Sequence, residues 1–377
     1  MFSRLIVFNF RNYNMTSPAK YFNLILPFFN PDRTKQILSV NPIIPKREEA
    51  TEVVICAYDY NAEQLKEYGL NNVTESLPFK ENNRNTWINI DGIRKADVET
   101  ICNYYGVHYL LIEDILSLGQ RPKMDEVEGV IYCLLNMLYF NDQEEAVESE
   151  QVSIILGNKF VLSFQENNQK DVFNPIREKL RMGNTKLRQR NADYLCYSMI
   201  DIIVDNYYTV LEKLGEKIEL LEEDIIRYGN THTLASINRA RKELIVLKRN
   251  IGPVRDMVNG FLRSESELLE ERTVKYFKDV YDHIVQANDL VENYRDMIMS
   301  LQDLYMSRVN LKLNEVMKVM AIVTCLLAPA TVIGGIFGMN FEVIPLTHQK
   351  IGFYIAVGLM LFIPLWMIWA FKRRGWF

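Results

Sequence analysis

The spacing of apolar positions changes character twice along the chain. Residues 52–60, 86–91, 130–140, 152–156 and 160–164 are short runs rich in Val, Ile, Tyr and Phe, which predicts strands. Gly157-Asn158 between the last two runs is a hairpin signal. Residues 62–68, 95–105 and 110–118 carry apolar side chains at helical spacing and predict helices among those strands. Residues 51–190 are therefore expected to form an α/β domain. Beyond Pro175 no strand is predicted. Residues 193–228 and 231–250 are charged amphipathic helices, so residues 191–272 are expected to form a helical hairpin. No glycine or proline stands between Gly260 and Pro329, which predicts one long stalk helix over residues 273–337. At 1.5 Å per residue that helix would be on the order of 100 Å long and would project from a membrane into the cytosol.

Two late segments change the class of the molecule. Residues 320–337 and 351–371 contain no charged side chain, and each is long enough to cross a hydrocarbon core of about 30 Å. The second ends in Lys372, Arg373 and Arg374 with Trp366, Trp369 and Trp376 nearby, the composition of a membrane interface with its positive side inward. Lys312 and Lys318 precede the first span, and only Lys350 stands in the connection. Both termini are thus expected on the cytoplasmic side of a plasma (inner) membrane, with residues 338–350 outward and 372–377 a basic cytoplasmic tail. At the other end, residues 1–50 have no acid before Asp32 and carry Pro18, Pro27, Pro31, Pro42 and Pro45, so they read as a variable arm without an ordered helix. Their longest apolar run is too short for a secretion signal.

Composition narrows the function classes. The chain is 48% hydrophobic and 24% charged with a formal net charge of -5, which excludes wholesale disorder and disfavours a nucleic-acid binder. The five cysteines are odd in number and widely spaced, so they read as buried thiols in a reducing compartment. The four histidines are scattered, and none forms an HxxxH or HExxH pair. No P-loop, GxSxG or glycine-rich dinucleotide turn is present, which argues against an enzyme and against ATP-driven transport.

One face of the first span is unlike a simple anchor. Steps of four and three pick out Asp303, Ser307, Asn310, Asn314, Met317, Ala321, Thr324, Ala328, Thr331 and Gly335, a continuous row of small and polar residues. Small residues also serve helix packing, and Gly334 with Gly338 forms GxxxG. Asn310 and Asn314 in the same row are better explained by a water-filled path. One helix cannot enclose a path, so several copies must contribute, and a homo-oligomer is expected.

Just beyond this span lies Gly338-Met339-Asn340, and here the chain closely resembles the CorA family of divalent-cation transport proteins, which carries this tripeptide at the outer end of the first of two C-terminal spans. The stalk segment Asn314-Glu315-Val316-Met317-Lys318 is similar too, as are Thr86-Trp87-Ile88-Asn89, Glu113-Asp114-Ile115-Leu116 with Gln120-Arg121-Pro122, Ser149-Glu150-Gln151-Val152-Ser153, and Asp279-Val280-Tyr281-Asp282-His283. The resemblance covers about residues 52–377.

The resemblance implies a homopentameric funnel, an α/β cytoplasmic domain on a helical stalk with two membrane helices per chain, that admits Mg2+, with Co2+ and Ni2+ as analogues. It makes Gly338, Met339 and Asn340 the selectivity filter. Asparagine oxygens and glycine carbonyls repeated about an axis can accept hydrogen bonds from the waters that Mg2+ gives up reluctantly. Met317 and Met320 stand where the family places hydrophobic constrictions, whereas Ala328 departs from the bulky residue of some relatives. Asp303 would form a carboxylate ring in the stalk. The resemblance further pairs Asp279 with the Glu113-Asp114 region of a neighbouring protomer, with Asp282 a secondary candidate, so that regulatory Mg2+ bound between carboxylates would hold the closed state. The alternatives are a zinc-transporting relative of the same architecture and a membrane-tethered Mg2+ sensor that conducts nothing.

Overall fold

The computed structural model describes residues 49–166, 171–227, 231–339 and 350–375. All but the end of the N-terminal arm lies outside them, as do Asn340, most of the outward connection and Trp376. The described residues form two compact units: the second takes residues 225–227 and those from Gln302 onward, and the first takes the rest.

The first unit is built on a mixed sheet. Its strands are β1 (Val54–Tyr60), β2 (Leu65–Leu70), β3 (Asn85–Asp91), β4 (Lys123–Val127), β5 (Val130–Asn141), β6 (Ala146–Gly157) and β7 (Phe160–Gln165), in spatial order β2-β1-β3-β7-β6-β5-β4. Every neighbouring pair is antiparallel except β3 and β7, which run parallel with Thr86 opposite Phe160. The predicted β6–β7 hairpin is present. Gly157 closes β6, the turn is Asn158-Lys159, and Lys159 adopts φ 63°. A Cβ at Gly157 would lie 2.1 Å from the Phe160 ring, so the ring folds over the only residue that leaves room for it.

The helix expected over residues 62–68 is instead a turn and an edge strand. Ala, Glu, Gln, Leu and Lys favour a helix there by propensity. Asn61 overrides them, because its Oδ1 accepts from Glu63 N (3.0 Å) and Gln64 N (2.7 Å) and turns the chain back, with Tyr60 opposite Leu65. Residues 73–81 and β4 are further elements that the apolar spacing left unread: a 3-10 helix over Val73–Glu81, and a strand beside β5.

Helices cover both faces of the sheet. On one face lie α1 (Lys95–Tyr105) and α2 (Tyr109–Leu116). Val98, Ile101, Cys102 and Tyr105 make the buried stripe of α1, which Gly106 ends in a left-handed conformation at φ 78°. His108 caps α2, its ring accepting from Leu110 N. After the short α3 (Asn174–Arg181) and α4 (Lys186–Gln189), the long helices α5 (Ala192–Arg227) and α6 (Thr231–Arg263) cover the other face. Tyr207 Oη of α5 donates to Asn136 O (2.7 Å), and Asn136 Nδ2 donates to Asn250 Oδ1 of α6 (2.7 Å). The first turns of α7 (Glu271–Phe337) join this layer, where Phe277 stacks on Phe261 of α6 with centroids 4.4 Å apart.

A buried polar ladder crosses the parallel pair. Trp87 Nε1 donates to Ser163 Oγ (2.8 Å), Ser163 Oγ donates to Asn89 Oδ1 (2.6 Å), and Gln165 Nε2 donates to Asp91 Oδ1 (2.9 Å). Burial, and after it the charge of Asp171, pushes the Asp91 carboxyl up to about 6.

The second unit contains the remainder of α7 and α8 (Lys350–Arg373). Both helices are long and apolar enough to cross a membrane, with mean hydropathy 2.2 in each candidate window. Ile322 of α7 and Ala356 of α8 are buried, and a Cβ at Gly334 would come within 3.5 Å of the Met360 methyl. The cysteines depart in part from the expected buried thiols: Cys102, Cys133 and Cys196 are buried, Cys56 is half-buried, and Cys325 on the membrane helix is exposed.

Candidate functional site

Among the described residues of the second unit, the small, polar row predicted on α7 lies on an uncovered face. Ile322 is buried, and Leu326, Pro329, Ala330, Ile333 and Phe337 are partly covered. At about 100° per residue, Thr324 sits on the order of 160–200° around the helix from both Ile322 and Leu326. The row therefore points away from the covered face. Asp303, Asn310, Asn314, Met317, Met320, Thr324 and Thr331 are all exposed.

Local hydrogen bonds prepare this row. Thr324 Oγ1 donates to Met320 O (2.8 Å) and Thr331 Oγ1 donates to Leu327 O (3.0 Å), so each hydroxyl gives its proton to its own helix and keeps lone pairs turned outward as acceptors. At the end of α7 the Gly338 N–H donates to Gly334 O (2.9 Å) and the Met339 N–H to Ile336 O (3.3 Å), and both residues are exposed. Asn340, the third member of the tripeptide, lies outside the described residues.

The four candidate regulatory carboxylates do not form a common centre within one chain. Glu113 is exposed on α2, and Asp279 and Asp282 are exposed on α7, one helical turn apart. Asp114 already holds a cation: Lys123 Nζ of β4 lies 2.6 Å from Asp114 Oδ2 and 2.9 Å from Asp125 Oδ2. Burial works against the Lys123 charge, but its hydrogen bonds to Asp114 and Asp125 outweigh it and raise the ammonium pKa. Gln151 Nε2 also donates to the Asp114 carbonyl (3.3 Å), which ties the end of α2 to β6.

Among the described residues, the group of three or more potential ligands that does converge is Asp201, Asp205 and His283, whose ligand atoms all lie within 4.8 Å of one another. Asp201 and Asp205 are four apart on α5, and His283 comes from α7. Tyr208 Oη donates to the His283 carbonyl (2.6 Å) and fixes the two helices there. Burial, and next the Asp205 charge, raise the Asp201 carboxyl above its ordinary range, while Tyr197 Oη donating to Asp201 Oδ2 (3.2 Å) works the other way. The i, i+4 acids were visible in the sequence, but the histidine partner more than seventy positions on was not.

The family model described as CorA-like Mg2+ transporter protein matches residues 82–373. The chain is 39% identical over 319 residues to the cobalt/magnesium transport protein CorA of Thermotoga maritima, covering 84% of this chain and 91% of that protein. It is 24% identical over 300 residues to the cobalt/magnesium transport protein CorA of Methanocaldococcus jannaschii, covering 78% and 92%. The complete structure of the CorA magnesium transporter from Methanocaldococcus jannaschii has the same fold, with a TM-score of 0.71 at 22% identity over 86% of this chain and 99% of that one.

Proposed function

This chain belongs to the family of CorA-like Mg2+ transporter proteins, and from that premise we propose that it is a Mg2+ channel, open also to Co2+ and Ni2+, whose path runs along the exposed row of α7. It is a transporter and not an enzyme. The observation that carries the reading is the disposition of that row: its oxygens and small side chains face away from the apolar contact made by Ile322, on the side left for other copies of the chain. Oxygen acceptors inside a bilayer are costly unless they meet water or another chain.

Copies arranged about an axis, five by family resemblance, would close this row into a pore. Asn310 and Asn314 line it on the stalk side, and Thr324 and Thr331 line it within the membrane. Met317 and Met320 are 67% and 63% exposed in one chain and would form rings of thioethers that block ions by dewetting. Asp303, further down the same row, would concentrate cations below them. Gly338, Met339 and Asn340 form the outer filter, where hydrogen bonds to first-shell waters let Mg2+ pass without losing them. Both termini lie in the cytoplasm and the protein sits in the plasma membrane.

Closure is governed by cytosolic Mg2+ between protomers, with Asp114 of one chain and Asp279 of the next as ligands, supported by Glu113 and Asp282. The ion must bind the closed state more tightly than the open one for this to act as negative feedback. In a single chain Asp114 is neutralised by Lys123, so Mg2+ at that site competes with an internal ammonium. Zinc transport by the same architecture and a sensor without conduction are the competing readings. The acceptor row argues against the second, since an anchor has no use for it.

The test is Mg2+ entry into inside-negative proteoliposomes carrying a Mg2+ dye, comparing the parent with Asn340→Ala. Uptake in the parent that is lost in an intact oligomer of the variant is expected. Equal uptake in both would move the filter elsewhere, and no uptake in either at low cytosolic Mg2+ would leave the sensor.

A further inference from the structure

The turn that joins β5 to β6 ends on a residue in an unusual conformation. Asn141 pairs with Ala146 across it, and Glu145 adopts φ 51°, the left-handed region in which a Cβ crowds the backbone and glycine is the usual occupant. The Glu145 carboxylate lies between two cations from different helices: Oε1 accepts from Lys217 Nζ of α5 (3.0 Å), and Oε2 accepts from Arg239 Nη1 of α6. The hydrogen bond from Lys217 and the charges of both cations outweigh burial and hold the Glu145 carboxyl below its ordinary range. The Phe140 ring, its centroid 4.8 Å from the Lys217 ammonium, places that cation in turn.

A cavity of about 240 Å³ opens beside this clamp, between α5, α6 and the hairpin. Leu214, Leu221 and Ala240 give it a buried apolar wall, while Lys217, Arg239 and His232 give it basic groups and Ser236 a hydroxyl. Of the acids that also line it, Glu243 is buried and receives the Val147 N–H (2.7 Å), and Asp224 is exposed. Glu145 faces the two cations with 47% of its side chain exposed, so solutes reach the pair.

We propose that this cavity binds a small soluble phosphate monoester, whose phosphate takes the place of the Glu145 carboxylate between Lys217 and Arg239. The planar fork of an arginine and the point charge of a lysine together suit phosphate oxygens. A phosphate also carries more charge than a carboxylate and offers a third oxygen, with Ser236 on the same wall as a further donor. Leaving the clamp releases Glu145 from its left-handed backbone, which offsets part of the cost of breaking the two ion pairs. The apolar wall receives the organic part of the ester. Sites for drug-sized ligands run to about 300–1,000 Å³, so that part is small, and the acyl chains of a phospholipid do not fit. The site uses none of the residues of the transport and closure readings above and does not rest on them.

The experiment is calorimetric titration of the full chain in detergent and Mg2+-free buffer with phenyl phosphate, with inorganic phosphate and, as the lipid arm, with dihexanoyl phosphatidate. Saturable binding of phenyl phosphate, tighter than that of inorganic phosphate, is expected in the parent. Glu145→Gly removes the internal competitor and suits φ 51°, so it should tighten that binding roughly fivefold, a gain that a misfolded chain does not produce. In the same background Lys217→Met and Arg239→Met should each weaken it about tenfold. Arg181→Gln, whose guanidinium pairs with Glu67 outside the cavity, should leave it unchanged. Absence of saturable binding in the parent or in Glu145→Gly overturns the proposal, as does binding that Arg239→Met leaves intact. Equal weakening in Arg181→Gln would reveal a diffuse effect of charge and also overturn it. Tighter binding of dihexanoyl phosphatidate than of phenyl phosphate would assign the cavity to a lipid headgroup, against the soluble ester.

Discussion

If Mg2+ closes the assembly through Asp114, then Lys123 is the ion's resident competitor, and removing its charge should sharpen closure. The Lys123 ammonium is shared between Asp114 at 2.6 Å and Asp125 at 2.9 Å, and 35% of its side chain is exposed. A hydrogen bond between charged groups contributes about 1.5–3 kcal/mol. Sharing and solvent screening at this exposure reduce the part that opposes Mg2+ to roughly 1 kcal/mol. At 1.4 kcal/mol per tenfold, Lys123→Met should lower the Mg2+ concentration for half-maximal closure about fivefold. Methionine keeps an apolar stem beside Tyr132, over whose ring the ammonium now sits at 5.9 Å, so packing is largely preserved. Asp125→Asn should act in the opposite sense, since it leaves Lys123 to Asp114 alone and raises the midpoint by roughly two- to threefold on the same arithmetic. The assay is the midpoint of Mg2+ inhibition of flux in proteoliposomes, with Mg2+ protection from proteolysis as a second readout. An unchanged midpoint in Lys123→Met, or shifts of the same sign in both variants, would refute the competition.

Two other expectations concern the path and the sheet. Asn314→Leu and Thr324→Val remove acceptors from the exposed row and should cut Mg2+ flux severalfold with the oligomer intact on sizing, while Ile322→Val on the covered face should not; equal flux in all three would separate the row from conduction. Asp91 gives the sheet a pH dependence. Its carboxyl, at about 6 against an ordinary 3.8, binds a proton in the folded state that the unfolded chain has already released, so stability is full below pH 3.8 and is lost as pH rises through 6. At 1.36 kcal/mol per unit the loss is on the order of 2–3 kcal/mol. Melting of the parent and Asp91→Asn between pH 4 and 7 should therefore diverge, with the parent falling further; parallel curves would contradict the raised carboxyl.

Much of this molecule was legible in the order of its residues. Periodicity is a local property, so the bounds of α1, the strands β3, β5 and β7, and the two membrane helices followed from it. The absence of glycine and proline after Gly260 foretold the unbroken α7, and the row from Asp303 to Gly335 could be drawn on a helix without any coordinates. Where local preference and long-range pairing disagreed, pairing won: residues 62–68 have helix-forming composition, but a turn at Asn61 and a free edge of β1 make β2 of them. The parallel contact of β3 with β7 joins residues far apart in the chain, and no local pattern encodes it. The same holds for the sites. The family resemblance could single out Asp114 as a candidate ligand but not that Lys123 Nζ pairs with it, and sequence counted His283 among scattered histidines. Only the packing of α5 against α7 brings that ring to Asp201 and Asp205, because side chains meet through the fold's contacts and not through their spacing.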